Sequence, residues 1–178
     1  MRIEPTELAG VFVVDPEPVE DERGSFARMF AAEEFAAAGL DPAVAQCGLS
    51  TNVRSYTLRG MHWQAAPYEE AKLVRCTRGS VFDVAVDVRA DSPTFGRWLG
   101  FELGEVRHRA LYLGPGIAHG FLTLEADSEI FYQISAPYRP DSSRGLRWDD
   151  PTVAIEWPST PAVLSARDRS LPLLGEAI

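Results

Sequence analysis

The chain has 178 residues, 46% of them hydrophobic and 24% charged, with a formal net charge of −9 and a pI near 4.8. That length suits one domain, residues 1–178, with room for a substantial core. The acidity argues against a nucleic-acid surface, and no apolar run of about 18 residues offers a membrane-spanning helix. The N-terminus carries Glu4 and Glu7 and has no apolar stretch of the signal-peptide kind. Cys47 and Cys76 lack metal spacing and read as reduced core residues of a cytoplasmic protein.

In chain order, Val11 to Val14 reads as an edge strand after a Pro-rich, acidic start. Gly24 marks a turn, and AAEEFAAAG from Ala31 is a short helix stopped by Gly39. Gln46 to Asn52 leads into a strand at Ser55 to His62. Strand-length runs then follow at Lys72–Cys76, Val81–Arg89, Trp98–Leu103, Arg109–Leu113, His119–Leu124 and Glu129–Ser135, separated by Gly, Pro, Asp and Ser turns. Phe82, Val84, Val86 and Val88 share one face of a strand, and Asp83, Ala85 and Asp87 share the other. In a barrel that second face lines an interior cavity rather than solvent. The tail from Trp148 is proline-punctuated, reading as a strand followed by packed coil or a short helix. Many short strands without interleaved helices predict an all-β fold, a barrel or jelly roll.

Residues 58–89 concentrate the chemistry, with His62, Lys72 and Asp83 on strand-like segments. Sixteen arginines stand against one lysine. Arginine cannot give up its proton, whereas an ammonium is compact and tunable, so Lys72 suggests a task that needs an ammonium. His62 and His119 each fall on strands and suit a base at neutral pH once a carboxylate fixes the tautomer; Asp83 and Asp168 are the candidates, and the sequence does not pair them. His108, between two arginines, reads as solvated surface. Tyr132 and Tyr138 are candidate phenolic acids, and Arg23 and Arg59 suit a diphosphate. The spacing Gly60-x-His62-x-Gln64, Lys72, then His119 loosely echoes metal-binding cupins, but Gln64 replaces the second histidine and Lys72 the glutamate, so no metal is expected. No Walker or Gly-rich nucleotide motif is present.

RGSF at 23, LRGMHWQ at 58, KLVRCTRGSVFDVAVDVR at 72, SPTFGRW at 92, LGPGIAHGF at 113, FYQISAPY at 131, GLRWDDP at 145 and SARDRSLP near the end resemble, in order, the dTDP-4-dehydrorhamnose 3,5-epimerase family. The resemblance implies a cupin-type jelly-roll barrel with a few short peripheral helices and no cofactor. It also implies a homodimer whose N-terminal segment crosses to the partner, and a nucleoside-diphosphate 4-keto-6-deoxyhexose as substrate. By that resemblance His62 is the base, with Asp168 or another acid holding its ring, Lys72 stabilises the enolate, and Tyr132 donates a proton from the opposite face. His119, with Asp83, helps hold the sugar or enolate. Arg23, Arg59, Phe26, Gln46, Tyr138 and Arg167 fall where the family contacts its ligand.

Three positions depart from the family pattern. Arg28 stands where a glutamate is frequent, Gly48 replaces an asparagine, and Ser143 replaces another glutamate. All three lie at ligand-contacting positions, which puts the nucleotide or the sugar in question and leaves the proton-transfer residues intact. A 3-only or 5-only epimerase is the nearest alternative, followed by a sugar 3,4-ketoisomerase, for which a different histidine arrangement is expected, a non-catalytic sugar-nucleotide-binding cupin and, last, a metal-dependent cupin oxygenase.

Overall fold

The computed structural model describes residues 1–178. Its strands are β1 (Arg2–Pro5), β2 (Val11–Asp15), β3 (Val19–Asp21), β4 (Gly24–Phe26), β5 (Gln46–Asn52), β6 (Thr57–Gln64) and β7 (Lys72–Arg78). They continue with β8 (Ser80–Asp87), β9 (Trp98–Gly104), β10 (Ala110–Leu113), β11 (Ile117–Thr123), β12 (Ser128–Ile134), β13 (Ser143–Gly145) and β14 (Val163–Leu164). Helices α1 (Ala32–Ala37), α2 (Ala166–Arg169) and α3 (Leu174–Ala177) are short. None is long and apolar enough to cross a membrane.

One six-stranded sheet runs β1-β2-β10-β7-β12-β5, and a second runs β13-β6-β11-β8-β9, with β14 added in parallel to β6. The β3–β4 hairpin stands apart. This is the expected cupin-type jelly roll. Between the sheets lies a core of Val11, Val74, Cys76 and Ile130 against Val81, Ala85 and Phe121. The outer face of the second sheet carries Met61, Val84 and Val86, covered by Leu146, Val153 and Leu174 of the tail. The outer face of the first sheet is covered by α1, where Phe35 packs between Phe30 and Tyr112 at centroid distances of 4.9 and 6.0 Å. Six residues of helix are too few to be stable alone, so docking of Phe35, worth about 2–3 kcal/mol, holds α1 in place. Burial on both faces explains why β10 and β11 are buried along their whole length.

Three expectations need correction. Val11–Val14 is not an edge: β2 lies between β1 and β10, and the edge falls to β1, which ends in Pro5. Gln46–Asn52 is itself a strand, hidden from a pattern reading because Gly48, Ser50 and Asn52 are weak strand formers turned to a polar interior. The stretch at 149–162 is turn and coil, so the tail's strand comes late, as the two-residue β14, and is followed by α2 and α3. Buried Asp150 organises the tail by accepting the backbone N–H groups of Thr152, Val153 and Leu174 at 2.7, 2.9 and 2.6 Å.

Candidate active site

The two sheets open at one end onto a cavity of about 670 Å³. Strand alternation aims its polar wall. Lys72 on β7 and Tyr132 on β12 point inward with the core residues Val74 and Ile130, whereas Asp83 on β8 and His119 on β11 point inward with Ala85 and Phe121. His62 is brought level with His119 by the β6–β11 register, which carries an irregularity between His119 and Phe121. Gly60 makes that register possible. Its φ is +126°, and a Cβ there would stand 2.5 Å from Gly120 Cα and 2.8 Å from the His119 carbonyl oxygen, so only glycine allows the strands to close.

The histidines fall into two carboxylate pairs. His62 Nε2 lies 2.7 Å from Asp168 Oδ1, with the His62 side chain 35% exposed and Asp168 buried. Burial pushes the Asp168 carboxyl up, but the hydrogen bond and charge of His62, the Gly60 amide and Ser165 outweigh it, and the carboxyl sits below its ordinary value. Asp168 is therefore ionised at neutral pH and accepts from Nε2 of His62, which makes Nδ1 the basic nitrogen of the neutral ring. Ser165 caps α2 by accepting the Asp168 backbone N–H at 3.0 Å, which fixes the carboxylate beneath β6. The second pair is deeper: His119 Nε2 lies 3.0 and 2.9 Å from the two oxygens of fully buried Asp83. The Tyr132 ring stands edge-on to His119 at 5.9 Å, and burial, reinforced by the charge of Asp83, drives its hydroxyl strongly upward, so it stays protonated.

Lys72 Nζ donates to the His62 carbonyl at 3.1 Å and pairs with Glu70 Oε1 at 2.9 Å. Glu70 escaped the sequence reading, although a spacing of two in an extended chain places it on the face of Lys72. Arg59 and Arg167 line the cavity without a carboxylate partner. Arg59 Nε donates to Asn52 Oδ1 at 2.8 Å, and Arg167 Nη2 to Ser143 Oγ at 2.9 Å. Gln46 and Tyr138 also line the cavity, the former donating to the Ala136 carbonyl at 2.9 Å. Gly48 lies opposite Tyr132 in register, and a Cβ there would reach Tyr132 Cδ2 at 3.9 Å, ordinary contact, so the missing side chain leaves open space beside the phenol.

Arg23, Phe26 and Arg28 are not brought to this cavity by their own chain. Arg23 pairs with Asp21 on the exposed β3–β4 hairpin, Phe26 is 71% exposed, and Arg28 lies 3.5 Å from Glu34. Gln64, the metal-ligand position of metal-binding cupins, is spent on the main chain: its amide donates to the Tyr68 and Pro137 carbonyls at 2.9 and 3.2 Å and accepts from Arg139 N–H. No group of three or more His, Cys, Asp or Glu side chains is placed to hold a metal ion. Of the two thiols, Cys76 is in the core as expected but Cys47 is exposed, because alternation along β5 turns Gln46 and Gly48 inward and Cys47 outward.

The family model for dTDP-4-dehydrorhamnose 3,5-epimerase matches residues 5–176. The chain belongs to that family. Relatives of this epimerase family include a dTDP-4-dehydrorhamnose 3,5-epimerase of Sinorhizobium fredii, 43% identical over 99% of this chain and 91% of its own. A dTDP-4-dehydrorhamnose 3-epimerase of Streptomyces niveus is 42% identical, over 99% and 86%. Among solved structures, the family's Legionella pneumophila enzyme, in complex with dTDP-4-keto-L-rhamnose, superposes with a TM-score of 0.91 at 35% identity, covering 98% of this chain and 93% of that one. The protein is thus an epimerase of 4-keto-6-deoxy sugar nucleotides.

Proposed function

We propose that this epimerase inverts both C3 and C5 of a nucleoside-diphosphate 4-keto-6-deoxyhexose, with dTDP-4-dehydro-6-deoxyglucose as the substrate to try first. One observation carries the reading. An Asp168-oriented His62 with a free nitrogen on β6 and a protonated Tyr132 on β12 face one cavity from opposite sheets. The C4 carbonyl acidifies the protons on C3 and C5. His62 removes each in turn, and Tyr132 returns a proton from the other side, which inverts the centre. The Lys72 ammonium meets the negative charge that develops on the C4 oxygen, with His119 and Asp83 beside it. Arg59 and Arg167, guanidiniums without carboxylate partners, suit the diphosphate, with Gln46, Tyr138 and the Gly48–Ser143 side of the pocket toward nucleotide and sugar. The exposed hairpin bearing Arg23 and Phe26, followed by Arg28, reaches the cavity of a second copy in a homodimer. The two free thiols fit a reducing cytoplasm.

The test is solvent isotope exchange: incubation with that substrate in D2O, with C3 and C5 followed by NMR. Deuterium at both carbons with changed configuration supports the double epimerase. Deuterium at C3 alone makes the protein a single-centre epimerase, the second reading, favoured by the S. niveus relative at almost the same identity. Tight binding with no deuterium at either carbon would leave a sugar-nucleotide-binding protein and end both.

A further inference from the structure

We infer that Glu70 is a positioning residue that aims the Lys72 ammonium at the ligand; this rests on the epimerase reading above. An ammonium has three N–H donors in tetrahedral array. Two of those of Lys72 are committed, one to Glu70 Oε1 at 2.9 Å and one to the His62 carbonyl at 3.1 Å. Fixing two directions fixes the third, and Lys72 lines the cavity. The remaining N–H is therefore the one a carbonyl oxygen meets.

The pair is nearly dry, with the side chains of Lys72 and Glu70 10% and 9% exposed. A flexible four-carbon stem in such a place would otherwise sample several rotamers, and a buried ammonium without a counter-ion would be strongly disfavoured. Glu70 removes both problems at once. The second anchor links the parts of the site, since the carbonyl belongs to His62, the residue whose imidazole takes the proton. Base and electrophile are thereby held at a set spacing through one hydrogen bond. Glu70 itself need not touch the reacting atoms.

The experiment compares Glu70→Gln, Glu70→Met, Lys72→Met and the Glu70→Met/Lys72→Met double variant, each checked for native melting. Each is assayed for kcat, KM and deuterium incorporation at C3. Glutamine keeps an acceptor for the ammonium and methionine keeps the volume without one. The expected result is a kcat lowered roughly 10- to 100-fold in Glu70→Met with KM within about twofold, and recovery to within about fivefold of wild type in Glu70→Gln. In the Lys72→Met background, Glu70→Met should cost nothing further, because its effect passes through the ammonium. A full additional loss in the double variant, or unchanged kcat in Glu70→Met, would overturn the inference while leaving the epimerase reading in place. A wild-type protein that incorporates no deuterium would overturn both.

Discussion

At the scale of single residues, the site separates removing a proton from returning one, and substitutions should split the two. His62→Asn, with folding retained, should lower deuterium incorporation at C3 and C5 by at least about 10³-fold, since an amide has no basic nitrogen. Tyr132→Phe should behave differently: His62 still exchanges the proton, so label enters from D2O while configuration is largely kept, a combination that one NMR experiment reads. Asp168→Asn should lower kcat roughly 10²- to 10⁴-fold by releasing the imidazole tautomer. The same substitution has a stability signature. Asp168 sits below its unfolded value in the folded chain, so its stabilising contribution is complete above the ordinary carboxylate range and is lost as pH falls through that range and then through the depressed value. Urea melts of wild type should therefore weaken on acidification, and Asp168→Asn should weaken less steeply; identical slopes would remove Asp168 from the account of acid lability.

At the scale of elements, the active site depends on where strands meet. Gly60→Ala places a methyl group against the Gly120 backbone at a φ few side chains adopt, and should cost about 3 kcal/mol or more. Survivors should lose kcat, because the β6–β11 register sets His62 beside His119. Asp87 anchors the end of β8 by accepting from Arg89, Ser92 and Thr94 while fully buried. Asp87→Asn should cost about 3 kcal/mol in a denaturant melt. Much of this was legible beforehand. The alternation of Phe82, Val84 and Val86 with Asp83 and Ala85 located β8 and its inward acid, and the family motifs named His62, Lys72 and Tyr132. What escaped did so for physical reasons. β5 hides behind Gly48, Ser50 and Asn52, and Glu70 acts through a neighbour; the pairing of Asp83 with His119 and Asp168 with His62 came only from the family resemblance, because it depends on register and on a helix more than a hundred residues away from β6.

At the scale of the molecule, the cavity and the β3–β4 hairpin do not meet within one chain, and that separation is testable. Mixing inactive Arg23→Ala and His62→Asn proteins under exchange conditions should restore activity toward roughly a quarter of wild type if each cavity borrows its partner's hairpin, since half the dimers then hold one intact site. No recovery in the mixture would place the hairpin in another role. The exposed thiol of Cys47 offers a handle for following such events. Its counterpart Cys76 is buried, with a thiol pushed up to about 11, and is therefore almost devoid of thiolate near neutral pH. A maleimide dye should thus attach at one place only, on the outside of a strand whose inward-facing Gln46, next to Cys47, lines the cavity. The chain comes with a single native labelling point, set one residue from the ligand wall, where fluorescence can register occupancy without a probe blocking the pocket.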